Sequence, residues 1–208
     1  RSAMGINGNE SSIRRVINAP RFGIFGVSKA GRLTLNNVRV SGAIGGLHNF
    51  GTTFINSTTF RHNSRGVTNE GSLFVNGCNF IANNGGAIVS FSSSTADVTT
   101  VIRGSSILRN IAIGAALNLY GTALVADSTI ADNFSAAGDN PTGIRSGGVL
   151  INGAVVIRDS TITGNISQTR GGGIGVTANG TLALIRSIVS GNHAPIAPKI
   201  FVAPGGVM

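Results

Sequence analysis

The sequence predicts an all-β solenoid: a right-handed single-stranded parallel β-helix of about seven coils, with three short strands per coil. Three observations carry this. Asparagine returns at intervals of 20 to 32 residues, at Asn63, Asn83, Asn110, Asn133, Asn165 and Asn192. Two rows at fixed offsets before that asparagine are apolar in every unit. The composition, with 31 Gly, 5 % aromatic residues, 11 % charged residues and no Trp, suits short strands and tight turns rather than a helical bundle. Self-similarity at such a period is the mark of stacked repeats, and parallel crossovers are right-handed.

Each element follows from the rows. Eight positions before the anchor stand Leu35, Ile55, Val75, Ile102, Val125, Ile157 and Leu184. Three before it stand Val40, Phe60, Phe80, Ile107, Ile130, Ile162 and Val189. Ten before it the row is Leu33, Thr53, Leu73, Thr100, Ala123, Val155 and Leu182. Alternation with period 2 makes these the inward residues of two strands. Five before the anchor the side chains are small, Val38, Thr58, Cys78, Ser105, Ser128, Ser160 and Ser187, as a corner between the strands requires. Ala43 holds the anchor place in a degenerate first unit. A third strand is opened by glycine in the stretches beginning at Gly46, Gly66, Gly85, Gly147 and Gly171. Stacked coils bring the six asparagines above one another, where they bond each other and the turn backbone as a structural ladder.

The spacing also fits the leucine-rich pattern L-x-x-L-x-L-x-x-N. Ser, Thr and Cys in the middle apolar place, and intervening Gly, Thr, Val and Asn, count against it. The near-identical "ADSTIADN" (126–133) and "RDSTITGN" (158–165) are two turns of one repeat. Two coils carry long loops, at Ser90–Val98 and Phe134–Ser146. The chain reads as a single domain over 1–208, with 193–208 as a C-terminal cap or tail: that segment holds three of the five prolines, although its "KIFV" offers a last strand.

The formal net charge of +9 is uneven. Residues 1–65 hold nine Lys/Arg and one acid, and residues 66–208 hold seven Lys/Arg and six acids. The basic third suits an acidic polysaccharide or an anionic surface. It lacks the Lys runs and interleaved Tyr/Trp of a nucleic-acid site, which argues against that partner. No apolar run reaches the length of a transmembrane segment. The lone Cys78 leaves no internal disulfide.

The stretches "GINGNESSIRRV" (from Gly5), "FGIFGVSKAGRLTLNNVRVSG" (to Gly42) and "GGGIGVTANGTLALIRSIVSGN" (171–192) resemble secreted or cell-surface parallel β-helix proteins related to the polymorphic outer-membrane and CSLREA-type bacterial proteins. The resemblance covers nearly the whole chain, with Ala43 as a departure. It implies export, an extracellular or cell-surface location, and a role in adhesion or as a scaffold. It also implies that residue 1, an Arg, lies inside a longer parent chain.

Pectin-lyase-like enzymes share this fold, so polysaccharide binding or cleavage is the alternative function. The acids are Glu10, Glu70, Asp97, Asp127, Asp132, Asp139 and Asp159. Asp127 and Asp159 stand six before their anchors, one coil apart, where a carboxylate pair would bind a cation or act as acid and nucleophile; the plainer role is capping a tight turn. His48, His62 and His193 form no ligand spacing, and Gly171–Gly173 precede no phosphate-loop Lys. The expectation is therefore no catalytic, cofactor or metal residue. Arg103 and Arg158 share an outward place two coils apart.

One row breaks the rule that outward residues are polar. Nine before the anchor stand Thr34, Phe54, Phe74, Val101, Leu124, Val156 and Ala183. Phe54, Phe74, Val101, Leu124 and Val156 form an outward stripe about 20 Å long. Such a stripe is covered by a loop or bound by a partner. A Thr-rich row flanks it, broken by Arg32 and Ala154, too irregular for an ice-binding plane. Solenoids normally need polar caps; residue 1 begins near a coil, and Gly205–Met208 offers little cover. The sequence thus points to a self-associating structural or adhesive module, forming multimers or filaments.

Overall fold

The computed structural model of the chain describes residues 3–16, 18–91, 98–138 and 144–208. Among the described residues the chain forms 27 strands and no helix. Three sheets of eight parallel strands run along the molecule, each strand pairing with its equivalents one coil before and after. This is a right-handed parallel β-helix with three strands per coil. At the strand spacing of a sheet, eight rungs span roughly 34 Å. The first sheet holds the strands from Ala3–Asn7 to Thr181–Ile185, the second those from Ser12–Arg14 to Ile188–Ser190, and the third those from Phe25–Val27 to Ile200–Val202. A fourth sheet of three two-residue strands, Ile111–Ala112, Phe134–Ser135 and Ile166–Ser167, widens one corner of the middle coils.

The eighth rung lies at the N-terminal end. Ala3–Asn7 pairs with Arg32–Asn36, and Ser12–Arg14 with Arg39–Ser41. Its inward residues Ile6 and Ile13 are seven apart, whereas Leu35 and Val40 are five apart. The two extra residues are taken up in a turn where Asn9 and Glu10 adopt positive φ, so this coil escapes the fixed offsets. Residues 193–208 follow the winding: Ile200–Val202 pairs with Ile174–Val176, and Val207 bridges to Thr181.

The inward rows converge as expected. Leu35, Ile55, Val75, Ile102, Val125 and Ile157 are buried in one cluster with Val40, Phe60, Phe80, Ile107, Ile130 and Ile162. Leu184 and Val189 of the last rung are partly buried against it. Two inward positions are threonine, and both are satisfied. Thr53 donates to Asn49 Oδ1 at 2.9 Å, while Thr100 Oγ1 accepts from Asn69 Nδ2 at 3.1 Å and lies 2.8 Å from Ser90 Oγ.

The asparagine ladder is continuous. The Oδ1 of each anchor accepts from the backbone N–H of the anchor one coil before: Asn63 on Ala43, Asn83 on Asn63, Asn110 on Asn83, Asn133 on Asn110, Asn165 on Asn133 and Asn192 on Asn165. Each Nδ2 donates to a carbonyl of the preceding coil, so Asn110 reaches Phe80 and Asn133 reaches Ile107. At the other corner a second ladder appears. Backbone N–H groups of Val38, Thr58, Cys78, Ser105, Ser128 and Ser160 donate in turn to the side chains of Thr58, Cys78, Ser105, Ser128, Ser160 and Ser187. The corner residues are therefore small and also polar, because the tight turn leaves an amide that only a side chain of the next coil meets.

Both corners bend through left-handed backbone. Six before the anchor, φ is positive at Asn37, Ser57, Gly77, Gly104, Asp127, Asp159 and Arg186. One before it, φ is positive at Gly42, His62, Ala82, Arg109, Asp132, Gly164 and Gly191. Gly, Asn and Asp tolerate this region best, which accounts for the repeated Asp-Ser-Thr.

Candidate functional surfaces

The outward stripe is a true column. Phe54 pairs in register with Phe74, Phe74 with Val101, Val101 with Leu124 and Leu124 with Val156. All five are intermediate in exposure. The Phe54 and Phe74 rings stack at 4.9 Å and 11°, and the Arg32 guanidinium lies 4.8 Å over the Phe54 ring. Beside the stripe, Thr52, Ser72, Thr99 and Thr122 stand in register on one flank. On the other, Asn56 donates to Asn36 at 2.9 Å. The result is a face whose apolar spine runs between a Thr/Ser row and a second row that holds Asn56 and Asn76 and, further along, Arg103, Ala126 and Arg158.

Among the described residues, Glu10, Glu70 and Asp159 lie in separate places, each beside a cationic or imidazole group. Glu10 lies 3.5 Å from Arg39 in the turn between the first and second sheets. Glu70, after the third sheet, lies 2.8 Å from His48 Nε2. Asp159 is clamped by cations: Arg186 donates from Nε and Nη2 at 2.7 and 2.9 Å, and Arg158 donates from Nη1 at 2.7 Å. Hydrogen bonds from Arg186 and then Arg158 hold its carboxyl below the usual range. A carboxylate so paired, at a corner with positive φ, serves the turn. Asp97 and Asp139 lie outside the described residues, as do parts of both long loops (92–97 and 139–143). Among the described residues no three His, Cys, Asp or Glu cluster at ligand distance.

Cys78 is buried in the corner ladder, its Sγ accepting from Thr58 N–H at 3.5 Å and lying 3.4 Å from the Ile55 carbonyl. Burial pushes its thiol up to about 11. Arg103 and Arg158 take equivalent outward places two rungs apart, with Ala126 between them.

Two surfaces were not singled out from the sequence. One is an exposed apolar corner where Ile111, Phe134 and Ile166 stand in register on the fourth sheet, with Ile113, 72 % exposed, beside them. The other is a groove on the N-terminal coils, lined by Arg14, Arg15, Ser41, Gly42, Arg61 and His62. Its signal in the sequence is the place two before the anchor, which holds Arg61 and, in the first coil, Arg14. No helix of the described residues is long and apolar enough to cross a membrane. A scan of protein-family models, a search of curated proteins and a search of solved structures each returned no match.

Proposed function

We propose that the chain is a non-enzymatic structural or adhesive β-helix module of an extracellular or cell-surface protein, akin to the polymorphic outer-membrane and CSLREA-type repeat proteins. It self-associates into multimers or filaments through the outer face of the first sheet, and its basic first coils meet an acidic partner. The observation that carries this reading is the five-rung stripe from Phe54 to Val156, in register and half-exposed. Two such faces pack with their apolar spines interleaved about 10 Å apart, as sheets do. The Phe54 and Phe74 rings are already stacked on each other before contact, so little of their conformational entropy is lost on association.

Sedimentation velocity over a concentration series tests this. The wild-type chain is expected to show a sedimentation coefficient that rises with concentration, and Phe54→Ser/Phe74→Ser is expected to stay monomeric with its β-sheet circular dichroism retained. A wild-type chain that stays monomeric throughout, or a folded double variant that associates as strongly, contradicts the proposal.

A further inference from the structure

We propose that the groove on the first three coils is a binding site for an acidic polysaccharide, one bearing carboxylate or sulfate groups along an extended chain. The inference rests on the reading of the molecule as a contact-making module and names the partner and the residues of its basic end.

The groove encloses a volume of about 460 Å³, within the range of small-ligand sites. Arg14 and Arg61 stand in one column of the second sheet with Ser41 between them, two rungs or about 9.6 Å apart. Both are exposed, and neither side chain makes an ion pair or a hydrogen bond among the described residues. Arg15 is tied down differently: Nε donates to Gly42 O at 2.7 Å and Nη1 to Ala19 O at 2.6 Å. That fixes one guanidinium at the rim and shapes the wall. Val16 and His62 complete the lining, and no acid of the described residues contributes to it.

The charge is segregated along the axis. Outward places of the second sheet hold Arg14, Arg39 and Arg61 in the first three strands and no charged residue in the following five. Glu10 reaches Arg39 alone. Two like charges held in one groove without a counter-charge raise its potential and favour an anion. Their rigid spacing along a straight column fits charges that recur along a polymer, and guanidinium forks match the planar oxyanions of uronate and sulfate groups. Ser41 between them offers a hydroxyl for a sugar.

Titration calorimetry of the full chain with polygalacturonate, dextran sulfate, inorganic sulfate, phosphatidylglycerol vesicles and duplex DNA tests the assignment. At least one polysaccharide should bind more tightly than sulfate, vesicles or DNA. Arg14→Ala/Arg61→Ala should weaken that binding at least tenfold, while Lys29→Ala/Arg103→Ala, with the same change in net charge, should change it less than threefold. No polysaccharide binding, equal loss in the two variants, or tighter binding to vesicles, DNA or free sulfate each overturns the proposal. Circular dichroism reports folding of each variant. Sedimentation of the same samples reads self-association separately, so loss of the groove site and loss of the stripe are told apart.

Discussion

Phe54 and Phe74 stack 4.9 Å apart on the outside of the first sheet, and Phe60 and Phe80 stack 5.2 Å apart on the inside of the second, in the same two coils. Aromatic pairs left to themselves prefer offset or edge-to-face geometry. Here the near-parallel planes are imposed by the in-register pairing of identical residues. The two stacks share a geometry and differ in burial, which separates structural from surface roles.

That difference is measurable. Phe60→Ala should destabilise the fold by about 3–5 kcal/mol, the usual cost of emptying an aromatic core site. Phe54→Ala should cost less, about 1–2 kcal/mol, since its ring is only partly buried. Urea unfolding of the two variants checks the order; equal losses would mean that the Phe54 face is covered within the molecule.

The asparagine ladder should be weaker at its end. Asn110 accepts from Asn83 and donates toward Phe80, Leu108 and Asn133, so Asn110→Ala leaves buried amide and carbonyl groups unmet. A loss of about 2–5 kcal/mol is expected, at roughly 1–3 kcal/mol per unsatisfied group. Asn192, in the last rung, has no asparagine beyond it in the ladder and is slightly exposed, so Asn192→Ala should cost less in the same urea experiment.

These rows were legible because stacking gives every residue of a row the same surroundings, so a small set of side chains fits each. The Asn anchors, the core rows and the Phe54 stripe could be read that way. The first coil could not, because the turn between Ile6 and Ile13 is two residues longer. The groove was hidden for another reason. Arg14, Ser41 and Arg61 are separated by 27 and 20 residues, and only the register of the second sheet unites them. The small corner row was visible from Val38 to Ser187, but its hydrogen bonds depend on which amide each turn leaves free.

Alkaline pH should weaken the fold through Cys78. Burial pushes its folded-state thiol up to about 11, above its ordinary value. The contribution is fully present below the unfolded value and is lost as pH rises from about 9 to 11, where the unfolded chain gives up the proton first. Two units correspond to at most about 2.7 kcal/mol. Stability of wild type and Cys78→Ser across that window should converge; parallel curves would show that the thiol is not held protonated by burial.

At Asp159 the sign is opposite. Its folded carboxyl is depressed by Arg186 and Arg158, so any contribution is present above the unfolded value and lost as pH falls through the folded one. The site is exposed, so the effect on stability should be small. Carboxyl titration followed by NMR should show Asp159 below the ordinary range and moving back toward it in Arg186→Ala. An unchanged titration would place the clamp elsewhere.

The central claim is that positions at equal offsets from the asparagine stand one rung apart on the same face, and paired cysteines test it most directly. Thr99 and Thr122 are in-register partners on the outer face, at a spacing a disulfide tolerates. In a Cys78→Ser background, Thr99→Cys/Thr122→Cys should oxidise to an intramolecular disulfide, whereas Ser72→Cys/Thr122→Cys, two rungs apart, should stay reduced. A reduced Thr99→Cys/Thr122→Cys pair, or equal bonding in both, would contradict the stacking from which the stripe and the groove are derived.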